Sequence, residues 1–245
     1  MRVSYLVCAT PRSGSTLLCE GLKATGVAGR PEEYFEAVPA TGRPRAPADY
    51  LEGLDDPDAH ALLGSAPPPD TPPYSSLLDV GSFDEHLARV REWGTTPNGV
   101  FGAKVMWGHV EDPSELGDRY VWVRREDKVR QAVSLWRALQ TQSWRASEGG
   151  GHAQYCFSAL QHLVRMLTEY DAAWARFLRG APVLALTYEE VAADLPLALE
   201  RTLAHVGVAR PRDWPPTLPA MRRQADELSE RWAEAYARDL QPSPA

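Results

Sequence analysis

The residues Thr10-Pro11-Arg12-Ser13-Gly14-Ser15-Thr16 are of the types that hold an anion. A strand that ends in a Gly/Ser/Thr loop and opens a helix offers unpaired amides at the helix start, and the helix dipole adds partial positive charge. Arg12 contributes a full charge. Gly14 permits close backbone approach, and the hydroxyls of Ser13, Ser15 and Thr16 can donate to phosphate oxygens. The Walker A pattern, Gly-x-x-x-x-Gly-Lys-Ser/Thr, does not fit. Ser15 follows Gly14 where that pattern has Lys, and Ala9 stands where it has its first Gly. The later strand candidate Tyr120 to Val123 runs into Arg124 and Arg125, not into a metal-binding Asp. A phosphate loop without metal partners suits a donor transferred without a required metal.

The elements that must position this loop follow from local patterns. Tyr5 to Ala9 is a short apolar run that reads as a buried parallel strand. Apolar residues at helical spacing run from Ser15 to Thr25, with Gly26 as the stop. Further strands are expected at Gly99 to Met106, Tyr120 to Val123 and Val183 to Leu186, each followed by a helical or turn segment. Strands alternating with helices predict an α/β fold, a mostly parallel sheet flanked by helices on both faces. Amphipathic helices are predicted from Asp127 onward, with Val129, Ala132, Val133, Trp136 and Leu139 as its apolar stripe, and over Tyr155 to Arg179. Nine prolines between Pro39 and Pro73 predict a surface excursion at about 37–74, with one short helix near Ala48 to Leu54. No repeat or interdomain linker is visible, so residues 1–245 read as one domain.

The net charge of −7 argues against a nucleic-acid or anionic-membrane partner, either of which calls for a basic surface. No apolar run reaches the length of a signal or spanning segment, which predicts a cytoplasmic protein without a membrane span. The three cysteines, Cys8, Cys19 and Cys156, have no paired spacing and read as reduced, packed thiols. None of the six histidines, His60, His86, His109, His152, His162 and His205, has metal-ligand spacing with a second ligand, so no metal is expected.

The stretch Tyr5 to Leu18, followed by Gly26-Val27-Ala28-Gly29-Arg30-Pro31-Glu32-Glu33-Tyr34-Phe35, resembles the bacterial trehalose 2-sulfotransferase family. Further matches, in the family's order, are Gly102-Ala103-Lys104-Val105-Met106-Trp107, Arg125-Glu126-Asp127 with Gln131-Ala132-Val133-Ser134, Gln140-Thr141 with Trp144, and Arg223-Gln224-Ala225-Asp226. The resemblance implies a P-loop-like sulfotransferase fold. It also implies an enzyme that moves a sulfuryl group from 3′-phosphoadenosine 5′-phosphosulfate to a carbohydrate hydroxyl, trehalose first, with the 3′,5′-bisphosphate as product and a homodimer as the assembly. A glycolipid or a nucleoside-type acceptor with the same donor is the alternative. A non-catalytic nucleotide binder would lack the base, and a kinase would need the missing metal partners.

The donor carries two anionic ends, so two anion sites are needed. Pro11, Arg12, Ser13, Gly14, Ser15 and Thr16 form the first. Sulfotransferases place an Arg at a strand end and a Ser on the next helix at the second, which here implies Arg124 or Arg125 with Ser134. Arg125 to Ser134 is one residue longer than that pattern, leaving the choice of arginine open. Arg223 and Gln224 match a late segment expected to fold over the nucleotide. The resemblance puts the general base at Glu33, with Glu32 beside it pointing elsewhere, and Arg12 and Lys104 among the catalytic groups. Lys104, at the end of an apolar strand, reads as a contact to the acceptor or the transferred group, or as a strand-edge lysine in water. Tyr34, Phe35, Trp107 and Trp144 are either stacking walls for a sugar or core aromatics.

Overall fold

The computed structural model describes residues 3–36, 45–63, 82–144, 152–216 and 226–241. Among these residues four strands form one parallel sheet in the order β2-β1-β3-β4: β1 (Val3–Ala9), β2 (Val100–Met106), β3 (Arg119–Arg124) and β4 (Val183–Thr187). All four match the expected strands, each within two residues of its observed bounds. Alternation sends Tyr5 and Val7 to one face of β1, and Leu6 and Cys8 to the other. Both faces are covered, which is why the run reads as continuously apolar.

On the first face Tyr5, Val7, Val121, Val123 and Leu186 pack with Leu18 and Leu22 of α1 (Ser15–Ala24), Val191 of α6 (Tyr188–Ala193), and Leu199 and Leu203 of α7 (Leu195–Val206). On the second face Leu6, Cys8, Ala103 and Val105 pack with Val90 of α3 (Phe83–Gly94), with Tyr34 and Phe35, and with Trp174 in the last turns of α5 (Phe157–Phe177).

The chain folds as two compact units. The first holds the sheet: residues 1–44, 71–126 and 170–220. The second comprises 45–70, 127–169 and 221–245. In the second unit α4 (Lys128–Thr141) buries Ala132, Val133, Trp136 and Leu139, as its pattern predicts. Gln140 ties a neighbouring segment down, its amide nitrogen donating to the Gln154 carbonyl at 2.9 Å and its oxygen accepting from the Gln154 amide at 2.8 Å. The helix α8 (Glu227–Asp239) lies on α4. Two partly exposed pairs join them: Arg130 with Glu230 at 2.6 Å, and Arg137 with Asp226 at 2.6 Å. Each such pair contributes at most about 1 kcal/mol.

The excursion expected at 37–74 falls outside the described residues at 37–44 and at 64–74. Its middle contains a 3-10 turn at Pro47–Leu51 and the short helix α2 (Pro57–Ala61). Pro57, expected to interrupt regular structure, instead starts α2, since a helix's first turn does not need the missing N–H. Asp56 caps that helix, accepting from the amides of Asp58 at 3.0 Å and Ala59 at 3.1 Å. The helices α3, α7 and α8 lie beyond the sequence-based expectations, although Ser82, Asp194 and Asp226 cap them with their side chains. No helix among the described residues is long and apolar enough to cross a membrane. The three cysteines carry free thiols, and burial raises the pKa of Cys8 well above its ordinary value, and that of Cys19 to about 12, leaving both as inert packing groups.

Candidate active site

The strand order puts β1 at the point where the chain's connections reverse direction: β2 lies on one side of it and β3 on the other. In open α/β sheets the crevice for a ligand lies beyond the carboxyl ends of the strands at such a point. The loop Thr10 to Thr16 occupies that place. Arg12 and Gly14 both take left-handed backbone conformations, with φ of 63° and 82°. A non-glycine residue there carries strain that the surrounding structure must hold. Gly14 is the N-cap of α1, and no side chain among the described residues caps that helix. Ser13 is fully buried, and its Oγ meets no hydrogen-bond partner among the described residues. Uncapped amides, a buried hydroxyl without a partner among the described residues and the Arg12 charge are together able to hold an anionic oxygen.

Glycine is required at position 14 on two grounds. Beyond its φ, a Cβ there would lie 2.5 Å from Cδ2 of the Tyr188 ring, and the guanidinium of Arg125 sits 4.5 Å over that same ring. The ring cannot give way without moving Arg125. Gly14→Ala is therefore expected to cost about 2–3 kcal/mol in a denaturant or thermal melt. It should also weaken binding of the donor product at least tenfold by calorimetry.

Lys104 is 3% exposed, and its Nζ contacts Thr16 Oγ1 at 3.1 Å and Glu33 Oε1 at 2.5 Å. The register of β1 with β2 accounts for this. Lys104 pairs with Val7, whose side faces α1, so the ammonium is carried to the first turn of that helix. Burial by itself would lower the Lys104 pKa, but Glu33, with smaller help from neighbouring groups, outweighs it and leaves a net rise. The lysine is thus a charged, buried cation joining the anion loop to a carboxylate.

Glu32 and Glu33 part company as adjacent residues should. The Glu32 carboxylate pairs with Lys23 of α1, which also pairs with Glu20 at 2.8 Å, while its backbone carbonyl accepts from the Lys104 amide at 2.9 Å. Glu33 turns the other way, to the Lys104 ammonium. Glu36, which no sequence motif marks, is a third carboxylate here, its amide donating to the Glu33 carbonyl at 3.4 Å. Its pKa is raised to about 7, first by burial and then by the charge of Glu33, against the pull of Lys104. The folded chain therefore holds a proton there that the unfolded chain releases. The associated stability is complete below the ordinary carboxylate range and is lost as pH rises through about 7. Glu36→Gln should leave the stability to unfolding unchanged near pH 4 and raise it at pH 8, by an amount on the order of 2 kcal/mol in a denaturant titration.

The two arginines at the end of β3 differ. Arg124 is half-exposed, pairs with Glu126 at 3.6 Å and lies 5.8 Å over the Trp122 ring. It lines a groove of about 590 Å³ with Ala185, Leu186, Thr187, Ala193 and three glutamates, Glu126, Glu189 and Glu190. Arg125 is 8% exposed and reaches the Tyr188 ring that abuts Gly14. Ser134 lies on α4 in the second unit. Arg223 and Gln224 lie outside the described residues, but Asp226 of the same motif caps α8 and pairs with Arg137, which holds its pKa down at about 2.

Tyr34 and Phe35 are wholly buried, leaving no face on which a sugar could stack. Tyr34 Oη donates to the Arg30 carbonyl at 2.5 Å, and Phe35 packs edge-on against His86, ring centroids 5.5 Å apart. They are core aromatics that hold the segment bearing Glu33. Trp107 is half-buried, edge-to-face with Trp174 at 5.1 Å. Trp144, also half-buried, lies in the second unit 6.3 Å from the Tyr50 ring, a neighbour that no motif singles out.

A parallel α/β sheet whose first strand feeds a strained, uncapped anion loop, with a buried cation and a carboxylate beside it, defines a group-transfer enzyme working on an anionic donor. A sequence model of the Stf0 sulphotransferase family matches residues 4–119 and 113–239. The chain is 34% identical over 259 residues to the trehalose 2-sulfotransferase of Mycobacterium tuberculosis strain ATCC 35801 / TMC 107 / Erdman, covering 95% of this chain and 93% of that one. It is 33% identical over 269 residues to the trehalose 2-sulfotransferase of Mycolicibacterium smegmatis strain ATCC 700084 / mc(2)155, covering 97% and 96%. Its fold resembles a sulfotransferase from Alicyclobacillus acidocaldarius, with a TM-score of 0.53 at 15% identity over 98% of this chain and 93% of that one. The sulfotransferase domain from the curacin biosynthetic pathway is similar, with a TM-score of 0.51 at 12% identity over 86% and 76%. The chain belongs to the Stf0 sulphotransferase family and is an enzyme that transfers sulfate.

Proposed function

We propose that the protein transfers a sulfuryl group from 3′-phosphoadenosine 5′-phosphosulfate to the 2-hydroxyl of trehalose, releasing 3′-phosphoadenosine 5′-phosphate, with no metal required. The observation that carries the reading is Lys104, whose ammonium bridges Thr16 of the anion loop and Glu33. The names of the two mycobacterial relatives support the acceptor. Glu33 takes the proton of the acceptor hydroxyl as its oxygen attacks sulfur in line, and the bond from sulfur to the bridging oxygen of the 5′-phosphate breaks. Charge then grows on that phosphate, where the amides of Gly14, Ser15 and Thr16, the Ser13 hydroxyl, Arg12 and Lys104 stabilise it. Arg125 takes the 3′-phosphate with Ser134, a choice supported by Arg124 being paired with Glu126 in a groove that also holds Glu189 and Glu190. Arg223 and Gln224 contact the nucleotide, and Trp107 and Trp144 the sugar.

We place the reaction in the cytoplasm, in a homodimer whose chains each work as one sulfotransferase domain over residues 1–245. Light scattering of a monomer at working concentration would remove the dimer. The reaction itself is tested by incubating the protein with labelled donor and trehalose, other sugars, sugar-bearing lipids and nucleoside-type glycosides, with and without chelator. Labelled trehalose sulfate, insensitive to chelator, is expected. Magnesium-dependent phosphoryl transfer from ATP without a sulfated product would overturn the reading.

A further inference from the structure

The segment that carries Glu33 has little secondary structure of its own, yet a general base must be held to within a fraction of an ångström. It is fastened to both ends of α3. At one end the Arg30 amide donates to the Gly94 carbonyl at 2.8 Å, in the last turn of that helix. At the other, His86 Nε2 lies 2.7 Å from the Tyr34 carbonyl, in the first turn. A carbonyl only accepts, so Nε2 carries the hydrogen. His86, Val90 and Gly94 recur every four residues and form the buried face of α3. Positions 86 and 94 are eight residues apart, about 12 Å along the axis. Five residues of chain, from the Arg30 amide to the Tyr34 carbonyl, span at most about 17–18 Å. The segment is therefore tied at both ends to one helix with little slack to loop away from it, and on its other side the Lys104 amide holds the Glu32 carbonyl. His86 is 2% exposed and stands edge-on to Phe35, so its ring has no room to swing.

We propose that His86 is a positioning residue for Glu33, fixing through the Tyr34 carbonyl the peptide that follows Glu33 and so the aim of its carboxylate at Lys104 and the acceptor hydroxyl. This rests on Glu33 being the base in the proposed reaction. The described contacts of His86 are with the Tyr34 carbonyl and the Phe35 ring, on the segment that bears Glu33, so its loss is expected to misplace the base and leave the Thr10 to Thr16 loop in place. A positioning error on this scale is expressed in turnover, not in donor affinity.

The test compares His86→Leu, of similar bulk but no donor, with His86→Gln, whose amide nitrogen reaches roughly where Nε2 stands. His86→Leu is expected to lower kcat by about 10- to 100-fold while leaving the donor KM, and the affinity for 3′-phosphoadenosine 5′-phosphate by calorimetry, within about twofold. His86→Gln should return kcat to within about threefold of the parent. Hydrogen exchange at the amides of 32–36 should speed up at least tenfold in His86→Leu and not in His86→Gln. An unchanged kcat in His86→Leu, equal losses in both variants, or a matching rise in donor KM would overturn the assignment. If the parent enzyme transfers no sulfate, the proposed function fails, while the exchange data still decide whether His86 holds the segment.

Discussion

Glu33→Gln is expected to lower kcat for sulfuryl transfer by about 10²- to 10⁴-fold, the range a positioned general base contributes. The neighbouring Glu32→Gln should stay within a few-fold of the parent. The contrast comes from geometry. Glu32 spends its carboxylate on Lys23, and a Gln there keeps a hydrogen bond to the same ammonium. Glu33 faces the buried Lys104 ammonium, which also contacts Thr16. Glutamine at position 33 can still accept from Lys104 but cannot take a proton, so the nucleotide product should bind as before. Steady-state kinetics with calorimetry of 3′-phosphoadenosine 5′-phosphate separates the two effects. Near-normal turnover in Glu33→Gln, with loss in Glu32→Gln, would move the base one residue back.

Lys104→Met should lower kcat on the order of 10²- to 10³-fold, the magnitude seen when a single preorganised charge is taken from the path of developing negative charge. It should also raise the donor KM, because Thr16 loses a buried partner beside the anion cradle. Methionine fills much of the same volume, so packing is not the main loss. Glu33 is then left part-buried without its cation, at a cost of about 1–3 kcal/mol. The double variant Lys104→Met with Glu33→Gln removes the carboxylate that has lost its cation, and its melting point should lie above that of Lys104→Met alone. In turnover the two substitutions should combine to less than the product of their separate effects. Glu33 raises the Lys104 pKa above its ordinary value. The stability from the pair on the lysine side is therefore complete at neutral pH and fades only as pH climbs past the lysine's unfolded value, about 10.4. A parent-versus-variant gap in melting point that already shrank between pH 7 and 9 would contradict a charged Lys104.

Much of the site is legible in the chain because its chemistry is local. The apolar run, the turn residues and the helix that follows are contiguous, and that order alone predicts an anion cradle at Thr10 to Thr16. The uncapped N-terminus and the left-handed Gly14 are what those residue types favour. Other features carry a local signal that is easily passed over: Ser82 before Asp84 and Glu85, or Asp194 before Pro196, are ordinary capping signals for α3 and α7. Their apolar residues are spaced for one buried face only, which a search for long continuous runs does not detect.

His86 and Glu36 escape sequence reasoning for a different reason. No motif marks either residue, since the partner of His86 lies more than fifty positions away and the raised pKa of Glu36 comes first from burial, which only the fold sets. The four aromatics pose a related problem. An aromatic's sequence neighbourhood does not say whether its face is covered, and only packing shows Tyr34 and Phe35 fully enclosed while Trp107 keeps part of its surface.

By itself, then, the sequence determined the class of fold, the strand, loop and helix around Thr10 to Thr16, and the family. The tertiary structure alone decided which groups meet. Strand pairing opposite Val7 carries Lys104 to Thr16 and Glu33, Lys23 draws Glu32 aside, and the Tyr188 ring links Arg125 to Gly14. The physical reason is that a strand's alternation reveals its faces but not its neighbours. The register of a parallel pair is set by side chains far apart in the chain, and a shift of one residue would turn Lys104 to the opposite face of the sheet.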